Sequence, residues 1–175
     1  MGFVNAHFVA YTTDFGTTAI NGAYALVTVG IAGIAGGLGF GLLADRFGRR
    51  PLLSFAFVMR AIGYAILLMS TSLPGAIAGI VCIGSSWTSV ISLTGTVSSD
   101  EFGLRRLGTI IGTMFMVMPI GASTAVWLAG QIYDSTGSYD KALWISLTLG
   151  VIGALSIAMP STGIAKKIWP RATAG

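Results

Sequence analysis

The sequence predicts an all-α membrane protein with about five complete transmembrane helices and one partial helix. Three observations carry this. Apolar residues make up 54% of the 175 and charged residues only 9%, against roughly 25% charged in an average soluble protein. Mean hydropathy is +0.82. The few charges cut the chain into long charge-free stretches at 15–44, 61–99, 107–133 and 142–165, and a spanning helix needs about 20 apolar residues. So little charge cannot cover a soluble domain of this apolar content. A disordered tail, a disulfide scaffold and an ordinary cytosolic enzyme are excluded.

The elements follow in order. Residues 1–13 read as the end of a helix. Complete spans are expected at about 18–42, 51–71, 74–97, 107–131 and 141–160. Ser70–Gly75 divides the second charge-free stretch, and Pro74-Gly75 is a turn signal. Pro51 suits a first helical turn, where its missing N–H costs nothing. Connections near 43–50, 72–74, 98–106 and 132–140 are short, so neighbouring helices run antiparallel. Residues 1–160 form the transmembrane bundle and 161–175 a basic tail.

Basic residues alternate from side to side. Arg46, Arg49 and Arg50 share one loop, Arg105 and Arg106 the loop two spans later, and Lys166, Lys167 and Arg171 the tail. The opposite loops hold Lys141 alone. The positive-inside rule makes the basic side and the C-terminus cytoplasmic. A net charge of +4 and a pI near 9.6 thus express topology rather than nucleic-acid binding, because no basic stripe or nucleic-acid module is present. The first fourteen residues lack a basic leader region and a small-residue cleavage site, so they do not read as a signal peptide.

The first complete span ends in Gly41-Leu-Leu-Ala-Asp45-Arg46-Phe-Gly48-Arg49-Arg50. Gly41 leaves room for a helix to approach, and Gly48 supplies a tight turn. Asp45 can accept charge-assisted bonds from Arg46, Arg49 or a helix N-terminus. Such a cluster can latch helix ends in one state and release them in another. The segment resembles the G-x-L-a-D-R-x-G-R-R loop of the major facilitator superfamily of secondary transporters. Arg105–Gly112 resembles the start of that family's eleventh helix, and Gly130–Tyr139 the loop before its twelfth. Asn5-Ala-His7-Phe8-Val9 with Asp14 and Gly16 is similar to the outer end of a seventh helix in the branch of monocarboxylate and oxalate–formate transporters.

The resemblance implies the C-terminal six-helix half of a carrier, clipped inside its first helix. It implies transport of a small solute, an organic anion being one option, by alternating access. The expected partners are the lipid bilayer, an N-terminal six-helix half on the same or a second chain, and a small-molecule substrate. No cofactor and no nucleic acid are expected, and the expected location is the plasma (cell inner) membrane. Gly41, Asp45, Arg46, Gly48, Arg49 and Arg50 take the role of a conformational latch. A second reading is a non-transporting membrane fragment or an assembly subunit.

Candidates for the translocation pathway are His7, Tyr11, Asn21, Arg60, Tyr64, Trp87 and Gln131. Arg60 lies roughly 14 Å beyond Pro51 at ~1.5 Å per residue, and a charge at that depth costs ~2.5–3.5 kcal/mol on insertion scales. It either contacts an anion or a moving carboxylate, or snorkels to the headgroups. Anion carriers of the similar branch have cations on their eighth or eleventh helix. Here the corresponding spans have none, which leaves Arg60 as the buried cation. His7 could bind substrate or relay a proton, or sit at the interface beside Tyr11. The remaining pathway residues are otherwise interhelical glue or interface anchors.

Gly33, Gly37 and Gly41 form a small-residue stripe for close helix contact. Met114, Met116 and Met118 read as packing, and Asp100-Glu101 as a solvated cluster beside Arg105 and Arg106. Enzyme templates fail: one His and one Cys cannot build a multi-ligand Cys/His metal site, and no hydrolase or phosphate-loop motif is present.

Overall fold

The computed structural model describes residues 2–159. Among them the chain is helical throughout: α1 (Gly2–Thr13), α2 (Ala19–Phe47), α3 (Arg49–Met69), α4 (Leu73–Phe102), a 3₁₀ turn at Leu104–Arg106, α5 (Leu107–Thr136) and α6 (Asp140–Ala158). The last five α-helices are long and apolar enough to cross a membrane. The expected basic tail, with Lys166, Lys167 and Arg171, lies outside the described residues. α1 has 12 residues, or roughly 18 Å, short of the ~30 Å hydrocarbon core.

The helices outrun the predicted spans. The expected 43–50 loop shrinks to Gly48, which ends α2 and starts α3 at φ 89°. The expected 98–106 loop shrinks to Gly103 and the 3₁₀ turn. Polar residues such as Asp45, Arg49 and Asp100 continue a helix as readily as apolar ones once they clear the hydrocarbon, so charge marks the membrane boundary rather than the helix end. Successive helices run antiparallel. Gly48, Gly103 and the end of α6 gather at one end of the bundle, the basic end. The α1–α2, α3–α4 and α5–α6 connections gather at the other, the tyrosine end.

α4 is the central helix, with α2 on one side and α3 on the other, and α6 packs against α3. Small residues set the spacing. A Cβ at Gly36 of α2 would collide with the Ser85 backbone of α4. On the opposite face of α4, a Cβ at Gly63 would stand 2.7 Å from the Gly79 carbonyl oxygen and 2.6 Å from Ile83. Gly33 and Gly37 belong to the same seam through Thr88, but nothing lies within 4 Å of a Cβ at Gly41. The contact stripe is therefore Gly33, Gly36 and Gly37. The predicted Gly33–Gly37–Gly41 spacing fails because helices crossing at an angle diverge beyond a few turns.

Ser85, Ser86 and Ser89 are buried on α4. Their hydroxyls donate to the carbonyls of Cys82, Ile83 and Ser85 respectively, so none of the three hydroxyls is stranded in the seam. α5 stands apart. Among its described side chains only Ala129 is buried, and Met114, Met116 and Met118 are exposed rather than packed.

Candidate functional site

At the basic end, two arginines of α3 fasten three helices. Arg49 Nη1 donates to both carboxylate oxygens of Asp100, at 2.7 and 3.0 Å. Arg50 pairs with Glu101 at 3.6 Å. Its Nε and Nη2 donate to the carbonyls of Ile157 and Met159, at 3.2 and 2.7 Å. The last carbonyls of a helix have no partner within it and carry its negative pole, so a guanidinium satisfies both needs. Asp100 and Glu101 are exposed, as expected of a solvated cluster, but the cations they pair with are Arg49 and Arg50. The signal in the sequence was two adjacent acids at one end of a span, on the same side as two adjacent arginines.

Asp45 is exposed and forms no ion pair among the described residues. The predicted bonds from Arg46 and Arg49 are absent. Arg46 lies 5.7 Å over the Phe47 ring, and Arg49 is turned to α4. A helix places Asp45 and Arg46 100° apart, and the Gly48 turn carries Arg49 onto α3's own axis.

Arg60 stands roughly 16 Å along α3 from Arg49, near the middle of the helix. Its guanidinium does not snorkel. It sits between the rings of Phe57 and Trp87, at 5.3 and 5.2 Å. Nε reaches Ser86 Oγ at 3.5 Å, and Nη2 is buried with no hydrogen-bond partner. Two cation–π contacts, each worth ~0.5–2 kcal/mol, offset part of the cost of holding the charge at this depth. One helical turn on, Tyr64 lines a cavity of about 340 Å³ with Phe3, Thr124, Leu128, Ser146 and Leu149. A second, apolar cavity of about 170 Å³ lies between α4 and α5, bounded by Val90, Thr94, Met114, Phe115 and Met118.

The tyrosine end is built from rings. His7 on α1 faces the Val126 carbonyl of α5 through Nε2 at 3.1 Å, and the Tyr139 hydroxyl through Nδ1 at 3.2 Å. Tyr139 stacks on Tyr133 with centroids 4.3 Å apart, and the Tyr133 hydroxyl donates to Asp14 at 3.3 Å. Tyr11 donates to the Leu67 carbonyl, which ties α1 to the end of α3. Burial, followed by Tyr133, Asp14 and Asp134, pushes the Tyr139 phenol above its ordinary range, so it remains a hydroxyl.

The pathway candidates therefore divide. Arg60 and Trp87 touch, Tyr64 lines the neighbouring cavity, and His7 and Tyr11 belong to the ring cluster. Asn21 and Gln131 are exposed on α2 and α5 and join neither group. Tyr133, Tyr139 and Ser86 were missed, because nothing in their local sequence separates them from ordinary interface residues. Among the described residues no group of three His, Cys, Asp or Glu side chains could hold a metal ion.

Five membrane-length helices and a G-x-L-A-D-R-x-G-R-R hairpin frame the comparison with known proteins. The model for the Major Facilitator Superfamily matches residues 1–167. The chain belongs to the major facilitator superfamily. It is 30% identical over 145 residues to an uncharacterized MFS-type transporter, YcxA, of Bacillus subtilis, covering 79% of this chain and 35% of that protein. It is 27% identical over 122 residues to a triacylglyceride transporter of Mycobacteroides abscessus, covering 67% of this chain and 23% of the relative. It is 25% identical over 143 residues to human monocarboxylate transporter 12, covering 78% of this chain and 27% of the relative. The chain thus spans about a quarter to a third of the length of these curated relatives. No solved structure matches. As a member of the superfamily, the chain is a multi-pass membrane protein of a transporter family.

Proposed function

We propose that the chain is the C-terminal half of a secondary transporter and moves a small solute by alternating access together with an N-terminal six-helix half. The observation that carries this is the basic end. The motif hairpin and α4 are drawn together there by exchangeable ion pairs from α3, and α6 by hydrogen bonds from Arg50 to its last carbonyls. Exposed pairs are individually worth ~0.2–1 kcal/mol, weak enough to be remade when two halves rock. Asp45 and Gly41, unpartnered among the described residues, are then the groups that meet the other half. Positive-inside counting orients the basic end and the C-terminus to the cytoplasm of a plasma membrane.

The solute reading is a small organic anion. Arg60 is a mid-helix guanidinium with a buried, unpartnered Nη2, one helical turn from the Tyr64 that lines a cavity, and one relative is a monocarboxylate transporter. The relatives also include a triacylglyceride transporter and efflux pumps, and the apolar cavity between α4 and α5 suits a lipophilic solute instead.

The test joins the chain to an N-terminal half and measures uptake of labelled lactate into proteoliposomes. Saturable uptake that Arg60→Lys lowers severalfold supports the anion reading. Saturable export of a lipophilic dye, without lactate uptake, replaces it with the second. Orientation is checked separately. Thr136→Cys should label from outside and Ile168→Cys only from inside, and the reverse pattern overturns the topology.

A further inference from the structure

α5 lies against the rest of the bundle mainly at the tyrosine end, where the chain's one histidine bonds to Val126 and Tyr133 bonds to Asp14. The hydrogen-bond chemistry of this contact is fixed by its partners. A carbonyl only accepts, so His7 Nε2, facing Val126 O, must carry a proton. In the neutral ring Nδ1 is then bare and accepts from the Tyr139 hydroxyl. Adding a proton puts N–H on both nitrogens. The Tyr139 oxygen can accept as well as donate, so its hydroxyl only has to turn round. Neither contact is lost, and both become charge-assisted, about twice as strong as neutral ones.

We propose that His7 is a reversible proton-binding site, and that its protonation tightens the staple between α1, α5 and the α5–α6 turn. Histidine is the side chain whose ordinary titration falls between about pH 5 and 8. Charged and titratable groups gather around the ring. Asp14 closes the Tyr133–Tyr139 stack from the α1–α2 connection, and Asp134 ends α5 beside it. Asp140 opens α6, with Lys141 next to it as the one cation at this end among the described residues, and Tyr11 completes the ring cluster from α1. Acid at the tyrosine end therefore holds α5 closed against α1, and alkali loosens it.

Two measurements on the chain in lipid nanodiscs test this, and neither involves a solute, so the transport reading can fail without touching the result. In the first, ¹⁵N labelling of the only imidazole reads its protonation directly. The expected result is an Nε2–H tautomer at pH 8 and a doubly protonated ring at pH 5, reversibly and with helicity unchanged. A ring protonated on Nδ1 alone, a ring that takes up no proton, or loss of helicity on acidification overturns the proposal.

In the second, spin labels at Thr13→Cys and Ser135→Cys, in a Cys82→Ser background, report the α1–α5 separation. The widely separated population should fall roughly fivefold from pH 8 to pH 5, the ratio that about one strengthened bond gives. His7→Gln keeps an amide N–H for Val126 and a carbonyl for the Tyr139 hydroxyl but cannot titrate. It should keep the mean distance and lose the pH response. A pH-independent distance in the native sequence, or a response that survives in His7→Gln and so belongs to the carboxylates, overturns the proposal.

Discussion

α4 and α5 are each 30 residues long, and both are long and apolar enough to cross a membrane, yet they are held in opposite ways. α4 is clasped on two faces, by Gly36 of α2 and Gly63 of α3, with its serines turned back onto their own helix. α5 carries glycines too, but nothing lies within 4 Å of a Cβ at Gly108, Gly112 or Gly121. In lipid the hydrophobic effect does not drive one apolar helix onto another, and close backbone contact does that work. Small residues give such contact only where a neighbour presents a matching small face. α4 meets two such faces, whereas α5 meets one, Gly2 of α1 against Ala122 and Val126, so the bundle has a rigid centre and a more loosely attached flank.

The largest expected effect comes from breaking the rigid side of this contrast. Gly36→Val drives a branched side chain into the Ser85 backbone, which neither helix can yield without separating. Its cost should lie at or beyond the upper end of the ~1–3 kcal/mol typical of overpacking. The detergent-solubilised variant should leave a size-exclusion column as aggregate. Gly112→Val on α5 should elute like the parent and melt at the same temperature. Equal damage from both variants would mean that α5 is as tightly packed as α4.

The next effects concern function and need both halves of the carrier. Asp45→Asn removes the charge of the residue left unpartnered at the basic end among the described residues. Uptake should fall about tenfold, equivalent to ~1.4 kcal/mol on the limiting barrier, while membrane insertion persists. Unchanged uptake would reduce the motif to a topology signal. Arg60→Lys keeps the charge but loses the planar group that stacks between Phe57 and Trp87. A severalfold fall in lactate uptake is expected, with melting of the bundle little changed. A rate equal to the parent's would retire Arg60 as an anion contact.

The smallest effect sharpens the contrast between seam and surface. Arg49 and Asp100 are about half exposed, and Arg49→Ala should cost no more than ~0.2–1 kcal/mol. Exchanging the two residues, Arg49→Asp with Asp100→Arg, should recover most of that loss in thermal unfolding. A cost as large as that of Gly36→Val would make the basic end, rather than the glycine seam, the core of the bundle.

By itself the sequence determined the all-helical membrane class, five spans and a partial helix, the short antiparallel connections, and the superfamily through residues 41–50. Each of these is written locally, in hydropathy, charge and a contiguous motif. Helix ends were less legible, because residues such as Asp45 and Asp100 stay helical after leaving the hydrocarbon. Of the candidate site, the sequence flagged Arg60 and His7 as unusual, but not that Arg60 lies between Phe57 and Trp87 or that His7 joins Val126 to Tyr139. It likewise left open whether Arg49 would meet Asp45 or Asp100, and which glycines would touch. Tertiary structure decided these because a helix in lipid is apolar on every side. The contrast between a buried and a solvated face, which reveals packing in a soluble protein, is missing here. Which face meets a neighbour is then settled by backbone fit and crossing angle, and these arise only when the helices pack.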